Sequence, residues 1–299
     1  MHALLSMEQS HAVRTTRTQV LAAVAAWSDV VENWGRESRD DQWRVMRARV
    51  WAERARRAHQ RRLTEAFTFA EKAREACAIA STMQPDDPVP WVVRLSLSPM
   101  DSPDPRERLP ENRTLYSEEA MPPGPWGLLH EVQKRDPFNR EAWHHVLAAF
   151  TAYRADTGSF ARWASDIAPP WAAARVLPLF VHMQIYRQMK EVGRDTRLYW
   201  EDEGVTYHTN RAAMTWFPAA DTATRSPRDL NFLVQALHYG GYDTTVVAPV
   251  FEAIGRCVTP DPWEDIVRAP RHWSDEFLQA RFMHLPELPH SPSHLVGRG

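Results

Sequence analysis

The amino-acid sequence predicts an all-α protein built from stacked antiparallel helical hairpins. Three observations favour this fold class: glycine is scarce, prolines separate long segments of helix-favouring composition, and apolar residues recur every three or four positions. The 299 residues include only 11 glycines but 23 prolines. Glycine alone adopts positive φ freely, so dinucleotide-binding folds, P-loop enzymes and turn-rich barrels, which need many such positions, are disfavoured.

Charge and cysteine usage narrow the classes of function. The formal net charge of −2 provides no overall field that would attract nucleic acid or an anionic membrane. Cys77 and Cys257 are far apart and form neither a CxxC motif nor a disulfide framework. No segment approaches the roughly 20 consecutive apolar residues of a membrane span. The sequence therefore predicts a cytoplasmic protein with no membrane partner.

A stripe of apolar residues near the N-terminus predicts the first helix. Its members are Val20, Val24, Trp27, Val31 and Trp34, at spacings of 4, 3, 4 and 3 residues. The stripe stops at Gly35, a typical residue just after a helix end. Arg14 and Arg17, which precede the apolar stretch, also resemble the start of an export signal. An amphipathic helix accounts for more of these residues and is the preferred interpretation.

The next segment, residues 39–81, is also predicted to be helical. It contains no proline or glycine and is rich in Ala, Arg, Glu and Gln. Three small residues, Ala73, Cys77 and Ala80, recur near its end at helical spacing. Pro85, twelve residues after Ala73, marks the point where the helix has ended.

A proline that marks a helix end occurs again farther along the chain. A tryptophan follows a proline by six residues twice, at Pro85 and Trp91 and again at Pro137 and Trp143. The pattern resembles the tetratricopeptide repeat, in which small residues close helix B, a proline ends it, and a large residue opens the next helix A. The matching residues are Ala73, Cys77, Ala80 and Pro85 for a helix B and Trp143, Val146, Leu147 and Phe150 for a helix A. Pro169 lies 32 residues after Pro137, close to the family period of about 34.

The resemblance extends over about residues 63–259 and implies a tetratricopeptide-repeat-like α-solenoid, a right-handed superhelix. Leu147 departs from the family, which usually has a small residue at that position. Pro85 and Pro137 are 52 residues apart, which corresponds to one period plus an insertion. The insertion is predicted to be a proline-rich loop at about residues 98–125.

Two apolar stripes on either side of Gly240 and Gly241 predict one more helical hairpin. The stripes are Leu230, Leu233, Ala236 and Leu237 before the glycines and Val247, Phe251 and Ile254 after them. The chain also resembles helical C-terminal regions of uncharacterised actinobacterial proteins, which implies no activity. The sequence thus predicts one helical-repeat domain over residues 1–283 and a flexible tail rich in Pro, Ser and His over residues 284–299.

The resemblance implies a binding surface and a function. In the tetratricopeptide-repeat family, the exposed face of helix A lines a concave groove that holds another protein or an extended peptide. The corresponding positions are Glu141, His144, His145 and Ala148 in one repeat and Asn231, Gln235 and His238 in another. We therefore expect a non-catalytic scaffold or adaptor that has a protein or peptide partner and no cofactor.

An alternative function would use residues of the same predicted helix. Glu141 and His144 form an ExxH pair, whose members share one helix face. Di-iron bundles use two such pairs and two further carboxylates, whereas this sequence contains one pair. The residues that would complete a metal site are His182, Glu201, Glu203, His208 and His238. The alternative is a helical metalloenzyme of the di-iron oxidase type, and polar, partner-facing side chains are the preferred interpretation.

Residues 44–62 form an arginine-rich segment opposed only by Glu53. Its eight arginines are Arg44, Arg47, Arg49, Arg54, Arg56, Arg57, Arg61 and Arg62. Guanidinium groups beside Trp43 and Trp51 would bind RNA or an acidic protein surface. The arginines are spread around the helix, so a solvated or self-paired face is preferred. The candidate partners are Asp40, Asp41, Glu65 and Glu71.

Nucleophilic and acid–base catalysis have less support. The sequence has no GxSxG motif, and neither cysteine lies in a recognisable catalytic context. The stretch from Tyr199 to His208 places carboxylates beside aromatic rings, which would raise a carboxyl pKa for proton transfer. Acidic residues are also favoured at a helix N-terminus by the helix dipole, and this interpretation is preferred.

Overall fold

The computed structural model of the protein describes residues 10–37, 40–116, 121–267 and 271–285. These residues confirm the predicted all-α class: they contain no strand, and only Thr114 and Gly124 form an isolated antiparallel bridge. The chain divides into two compact units, Met1–Leu177 and Pro178–Gly299, here the N-terminal unit and the C-terminal unit. The single domain over residues 1–283 stays a prediction.

The described part of the N-terminal unit contains eight α-helices. They are α1 (His11–Ala25), α2 (Val30–Glu37), α3 (Gln42–Gln60), α4 (Glu65–Met83), α5 (Val89–Leu97), α6 (Trp126–Gln133), α7 (Arg140–Ala152) and α8 (Thr157–Ile167). Helices α3 and α4 form the most extensive helix pair of this unit. Helix α5 packs against both of them, and α6 and α7 pack against α5.

The segment expected as one helix over residues 39–81 is therefore a hairpin. Helix α3 ends in a Schellman motif, in which Arg62 adopts a φ of 57°. The N–H of Arg62 donates to the carbonyl of His59, and the N–H of Leu63 donates to the carbonyl of Ala58. Glycine usually occupies the left-handed position of this motif, so an arginine there concealed the break from pattern analysis.

The hairpin packs through small side chains. Ala73, Cys77 and Ala80 of α4 are fully buried in a cluster with alanines and valines of α3 and α5. Short side chains allow helix axes to approach closely. Burial raises the pKa of the Cys77 thiol to about 12, so this cysteine behaves as a small apolar residue.

The N-terminal apolar stripe does not form one buried helix face. Helix α1 ends at Ala25 and α2 begins at Val30, so the stripe is divided between two helices. Val20, Val24 and Trp27 are 57 %, 80 % and 63 % exposed. The buried positions of α1 are Thr15, Thr18, Ala22 and Ala25. Helix α1 therefore packs mainly through its small residues together with Leu21, whereas Val20 and Val24 face outward.

Aromatic side chains fill the core between α6, α7 and α8. Trp143 is fully buried, and its ring stacks on Phe138 at 5.9 Å and on Phe160 at 6.0 Å between centroids. Trp126 packs against Phe150 at 5.4 Å and against Phe160 at 5.9 Å. Among the described tryptophans, Trp27 and Trp171 are the exposed ones, so most of these side chains pack within the protein.

The C-terminal unit is arranged around one buried helix. Its helices are α9 (Leu177–Glu191), α10 (Glu203–Arg211), α11 (Pro227–Tyr239), α12 (Thr244–Ile254), α13 (Pro260–Ile266) and α14 (Trp273–His284), with a π-helical turn (Ala212–Trp216) and a short turn (Phe217–Ala219) after α10. Every residue of α11 from Asp229 to Leu237 is buried. Helices α12 and α13 pack against α11, and α14 packs against α12 and α13.

Proline and glycine end the helices at most of the expected places. Helix α4 ends at Met83 before Pro85, and α8 ends at Ile167 before Pro169. Gly241 adopts a φ of 69° between α11 and α12, as required by the Schellman motif that closes α11.

The remaining segments have little regular structure. In residues 98–125 the described part contains the 3₁₀ turns Ser98–Met100 and Pro110–Asn112. The predicted tail lies outside the described residues from position 286 onward. Across the described ranges, no helix combines the length and the apolar character that crossing a membrane requires.

Candidate functional site

The predicted groove residue Glu141 forms a buried ion pair with Arg49. Nη1 and Nη2 of Arg49 donate to Oε1 and Oε2 of Glu141 at 2.5 and 2.7 Å, which is a bidentate arrangement. The side chains are only 5 % and 8 % exposed. Nε2 of His145 lies 3.1 Å from Oε1 of the same carboxylate. Glu141 therefore contacts the histidine four residues later and lies inside the unit, away from any open groove.

Three helices supply this arrangement. Asn139 caps α7 by accepting a hydrogen bond from the N–H of Ala142, which fixes Glu141 in the first turn. Arg49 comes from α3, and its remaining donors reach α1 through the hydroxyl of Thr18 at 3.2 Å and the carbonyl of Thr15 at 3.3 Å. The charged groups thus join α1, α3 and α7.

The electrostatics of the pair keep the carboxyl group ionised. Burial acts to raise the pKa of Glu141, but attraction to Arg49 and the contact with His145 outweigh it and lower the pKa to about 2. A carboxylate held in this way is a poor proton carrier near neutral pH. Its oxygens make three contacts with protein groups, two with Arg49 and one with His145, which is typical of a structural ion pair.

The other predicted residues of α7 do not surround a large opening. His144, His145 and Ala148 are half-buried. The cleft beside Glu141 has a volume of about 60 Å³, which holds a few water molecules and is too small for an extended peptide.

The predicted groove residues of α11 are also placed inside the protein. Asn231 is fully buried: its Oδ1 accepts from the indole Nε1 of Trp263 at 2.9 Å, and its Nδ2 donates to the carbonyl of Pro227 at 2.8 Å. Gln235 is 1 % exposed, and its Nε2 has no hydrogen-bond partner among the described residues. A partner has no access to either side chain in this arrangement.

The histidines singled out by the sequence form two separate pairs in the C-terminal unit. Nε2 of His182 lies 2.9 Å from Nδ1 of His208. Nδ1 of His238 lies 3.1 Å from Nε2 of His284. Burial, followed by the neighbouring histidine, lowers the pKa of His182 and of His238 to about 4. His182 and His238 are therefore neutral imidazoles at neutral pH.

The structure does not assemble the alternative metal site. Glu141 and His144 belong to the N-terminal unit, whereas His182, His208 and His238 belong to the C-terminal unit. Within residues 10–37, 40–116, 121–267 and 271–285, no three His, Cys, Asp or Glu side chains are grouped to hold a metal ion. Glu201 and Glu203 are exposed near the start of α10, where Asp202 accepts from the N–H of Gly204 as the N-cap.

The arginine-rich segment is largely paired within the chain. Arg44 bonds to Asp41 at 2.8 Å, and Arg56 and Arg57 both bond to Glu53 at 2.6 Å. Arg54 donates to the carbonyl of Ala26, and Arg49 to Glu141. Five of the eight arginines thus have acceptors in the protein, which agrees with the preferred, self-paired interpretation of this segment.

Sequence analysis missed an exposed apolar surface of the N-terminal unit. This surface, the N-terminal stripe, consists of Val20, Val24, Trp27 and Val30, which are exposed. The spacing that indicated a helix was visible, but periodicity alone does not say which face is covered by the rest of the chain.

Comparison with known proteins does not assign a function to the site. No protein-family model, curated protein or solved structure matches this chain. Its function is therefore inferred from the contacts and exposures of its residues.

Proposed function

We propose that the protein is a non-catalytic helical scaffold that binds an apolar helix of another protein through the N-terminal stripe. The observation that carries this proposal is the exposure of Val20 and Val24 in α1 and of Trp27 in the turn after it. Exposed apolar residues grouped on a surface are typical of protein-interaction sites.

The chemistry of the stripe favours an apolar helical partner. From Thr18 to Ser28 the sequence carries no charged residue, so a charged partner surface would lose hydration there without compensation. Apolar residues at helical spacing fit side chains of a second helix, as in other helix-mediated interactions. Trp27 lies at the end of α1 with Arg57 5.8 Å from its ring, which offers a large anchor at the edge of the surface.

The proposal keeps the scaffold interpretation but changes the surface. The positions expected to line a repeat groove, such as Glu141 and Asn231, are occupied by contacts within the chain. A tetratricopeptide-repeat-like superhelix remains part of the proposal as the frame that presents α1, supported by the α3–α4 and α11–α12 hairpins.

The experiment compares affinity capture by the full chain and two variants. The double variant Val20→Glu/Val24→Glu places charges on the stripe, at positions whose exposure lets the fold tolerate them. Val192→Glu is the matched control, because Val192 is 70 % exposed and lies outside the stripe. We expect one protein to be retained by the wild type and the control and to bind the double variant at least about tenfold more weakly.

Direct titration of the captured protein then tests its chemistry. A synthetic peptide of its apolar helix should compete for binding, and it should fail to bind the double variant. The proposal is wrong if the double variant retains every protein that the control retains. It is also wrong if size-exclusion chromatography shows that the stripe mediates only self-association, lost in the double variant.

A further inference from the structure

The two histidine pairs of the C-terminal unit share one geometry. The ring centroids are 5.1 Å apart for His182 and His208 and 5.3 Å apart for His238 and His284. The facing nitrogens are 2.9 and 3.1 Å apart. In both pairs the centroid separation exceeds the nitrogen separation by nearly a full imidazole diameter. The nitrogens therefore face each other along the line between the rings, as in an N–H···N hydrogen bond.

This head-on geometry matches a shared proton better than a shared metal ion. Metal–nitrogen bonds are about 2.0–2.1 Å long, so an ion on the line between two rings would need nitrogens about 4 Å apart. At the observed separations, one nitrogen must carry a hydrogen and the other must present a lone pair.

The hydrogen-bond network fixes which nitrogen accepts in the first pair. The hydroxyl of Tyr199 donates to the carbonyl of His182 at 3.0 Å, so its oxygen is available to accept from Nδ1–H of His182 at 3.2 Å. Nε2 of His182 is then the acceptor, and Nδ1–H of His208 is the donor. The ring of His182 must be neutral for this network to exist, because its Nε2 has to present a lone pair.

The second pair is anchored in the same way. Nδ1 of His284 lies 3.1 Å from the hydroxyl oxygen of Thr244, at the start of α12. With either neutral tautomer of His284, one ring of the pair donates and the other accepts. The pair thus joins the end of α11, the start of α12 and the end of α14.

We propose that these two pairs form an acid-operated latch in the C-terminal unit, closed while the accepting ring of each pair is neutral and opened by protonation of the accepting nitrogens. A proton on the accepting nitrogen places two N–H groups opposite each other and removes the bond. The second positive charge of a fully protonated pair would repel the first.

The surroundings of the pairs set the direction of the response. The titratable groups that face the first pair include Tyr199 from a 3₁₀ turn, Asp202 at the start of α10 and Tyr207 of α10, whose ring lies against that of His208. Those that face the second pair are Tyr239 of α11, Asp243 before α12 and Glu276 of α14. Asp202 and Glu276 favour the protonated rings, but burial outweighs them and keeps the latch closed at neutral pH.

Opening of the second pair would uncover an apolar surface. Phe277 of α14 packs edge-on against Trp263 at 5.3 Å and against Phe251 at 5.6 Å. The ring of His284 itself stacks on Phe251. Release of the end of α14 therefore exposes aromatic side chains of α12 and α13, and this exposure is the structural consequence of opening the latch.

Hydrogen exchange of the full chain, corrected for the intrinsic effect of pH, tests the proposal. Between about pH 7.5 and about pH 5, exchange in α10 and α14 should rise at least about tenfold, while α3 and α4 stay unchanged. The double variant His208→Gln/His284→Gln should lose this pH dependence. His59→Gln, an exposed substitution in α3, is the control and should keep it. An unchanged wild type, or a double variant that responds like the control, overturns the latch.

Ring-nitrogen NMR of the unsubstituted protein provides a second test that needs no variant. At neutral pH we expect a neutral ring with Nδ1–H on His182, and Nδ1–H on His208 directed at Nε2 of His182. The ring of His182 should remain neutral well below the pH at which an unperturbed histidine is half protonated. Free-histidine titration of His182 or His238 would contradict the proposal.

Discussion

The two units pair polar side chains in different ways. The N-terminal unit encloses a cation and an anion, Arg49 and Glu141, in one bidentate pair. The C-terminal unit holds half-buried imidazoles in two hydrogen-bonded pairs. In both cases burial disfavours a lone charge, but only the ion pair supplies an opposite charge. The ion pair and the imidazole pairs are therefore expected to respond to acid over different pH ranges.

The largest expected effect comes from breaking the ion pair. Arg49→Met leaves the carboxylate of Glu141 buried without its partner and should lower the free energy of unfolding by about 3–5 kcal/mol. Urea unfolding followed by circular dichroism measures this loss. The double variant Arg49→Met/Glu141→Met removes both charges and should recover most of it. A loss below about 1 kcal/mol in the single variant would show that the pair contributes little.

The next-largest expected effect is a difference in the pH at which the two units lose stability. His182 and His238 have pKa values near 4 when folded and ordinary values when unfolded, so the unfolded chain binds protons first as pH falls. Stability present above about pH 6.5 is then lost toward pH 4, by about 3 kcal/mol for each of these histidines.

Glu141 responds in a different window. Its lowered pKa contributes stability that is complete above about pH 4.5 and is lost as pH falls toward 2. Exchange rates of peptides from each unit, measured at several pH values, should show the C-terminal unit weakening first. An equal rise in exchange rates in both units at pH 5 would contradict the expected difference between them.

A smaller effect distinguishes two buried amides on α11. Asn231→Leu removes the acceptor of the Trp263 indole and should destabilise the protein by about 2 kcal/mol. Gln235→Met replaces an amide whose Nε2 has no partner among the described residues, and it should change stability by less than about 1 kcal/mol. Thermal unfolding of both variants compares them directly. A reversed order would show that the hydrogen bond to Trp263 is not stabilising.

The smallest effect concerns helix ends. The N-terminal unit closes α3 and α7 with Arg62 and Arg154 in left-handed conformations, whereas the C-terminal unit uses Gly193 and Gly241 after α9 and α11. Arg62→Gly should stabilise the protein by about 1 kcal/mol, and Gly241→Ala should destabilise it by about as much. Differential scanning calorimetry detects both shifts. A loss of stability in Arg62→Gly would indicate that its side chain has a role beyond the turn.

Local chemistry explains which parts of the fold were predictable. Helices α4 and α8 end beside prolines because the ring removes a donor and blocks continuation, which depends only on neighbouring residues. Ala73, Cys77 and Ala80 share a face because helical geometry fixes their spacing. The break at Arg62 was not predictable, since no local feature distinguishes that arginine from those before it.

The candidate site was less predictable because its contacts are distant in sequence. Arg49 and Glu141 are separated by 92 residues, and His238 and His284 by 46. A spacing pattern placed Glu141 on a helix face, but it could not show that an arginine of another helix occupied that face. The same limit applies to Val24, whose exposure depends on what α1 packs against.

The sequence by itself determined the helical class, most helix ends and the small-residue face of α4, because these follow from backbone preferences and helical periodicity. Only the tertiary structure decided that Arg49 meets Glu141, that the histidines form pairs and that the N-terminal stripe stays uncovered. Burial and pairing depend on which helices come together, and that depends on the summed packing of the whole chain rather than on any one segment.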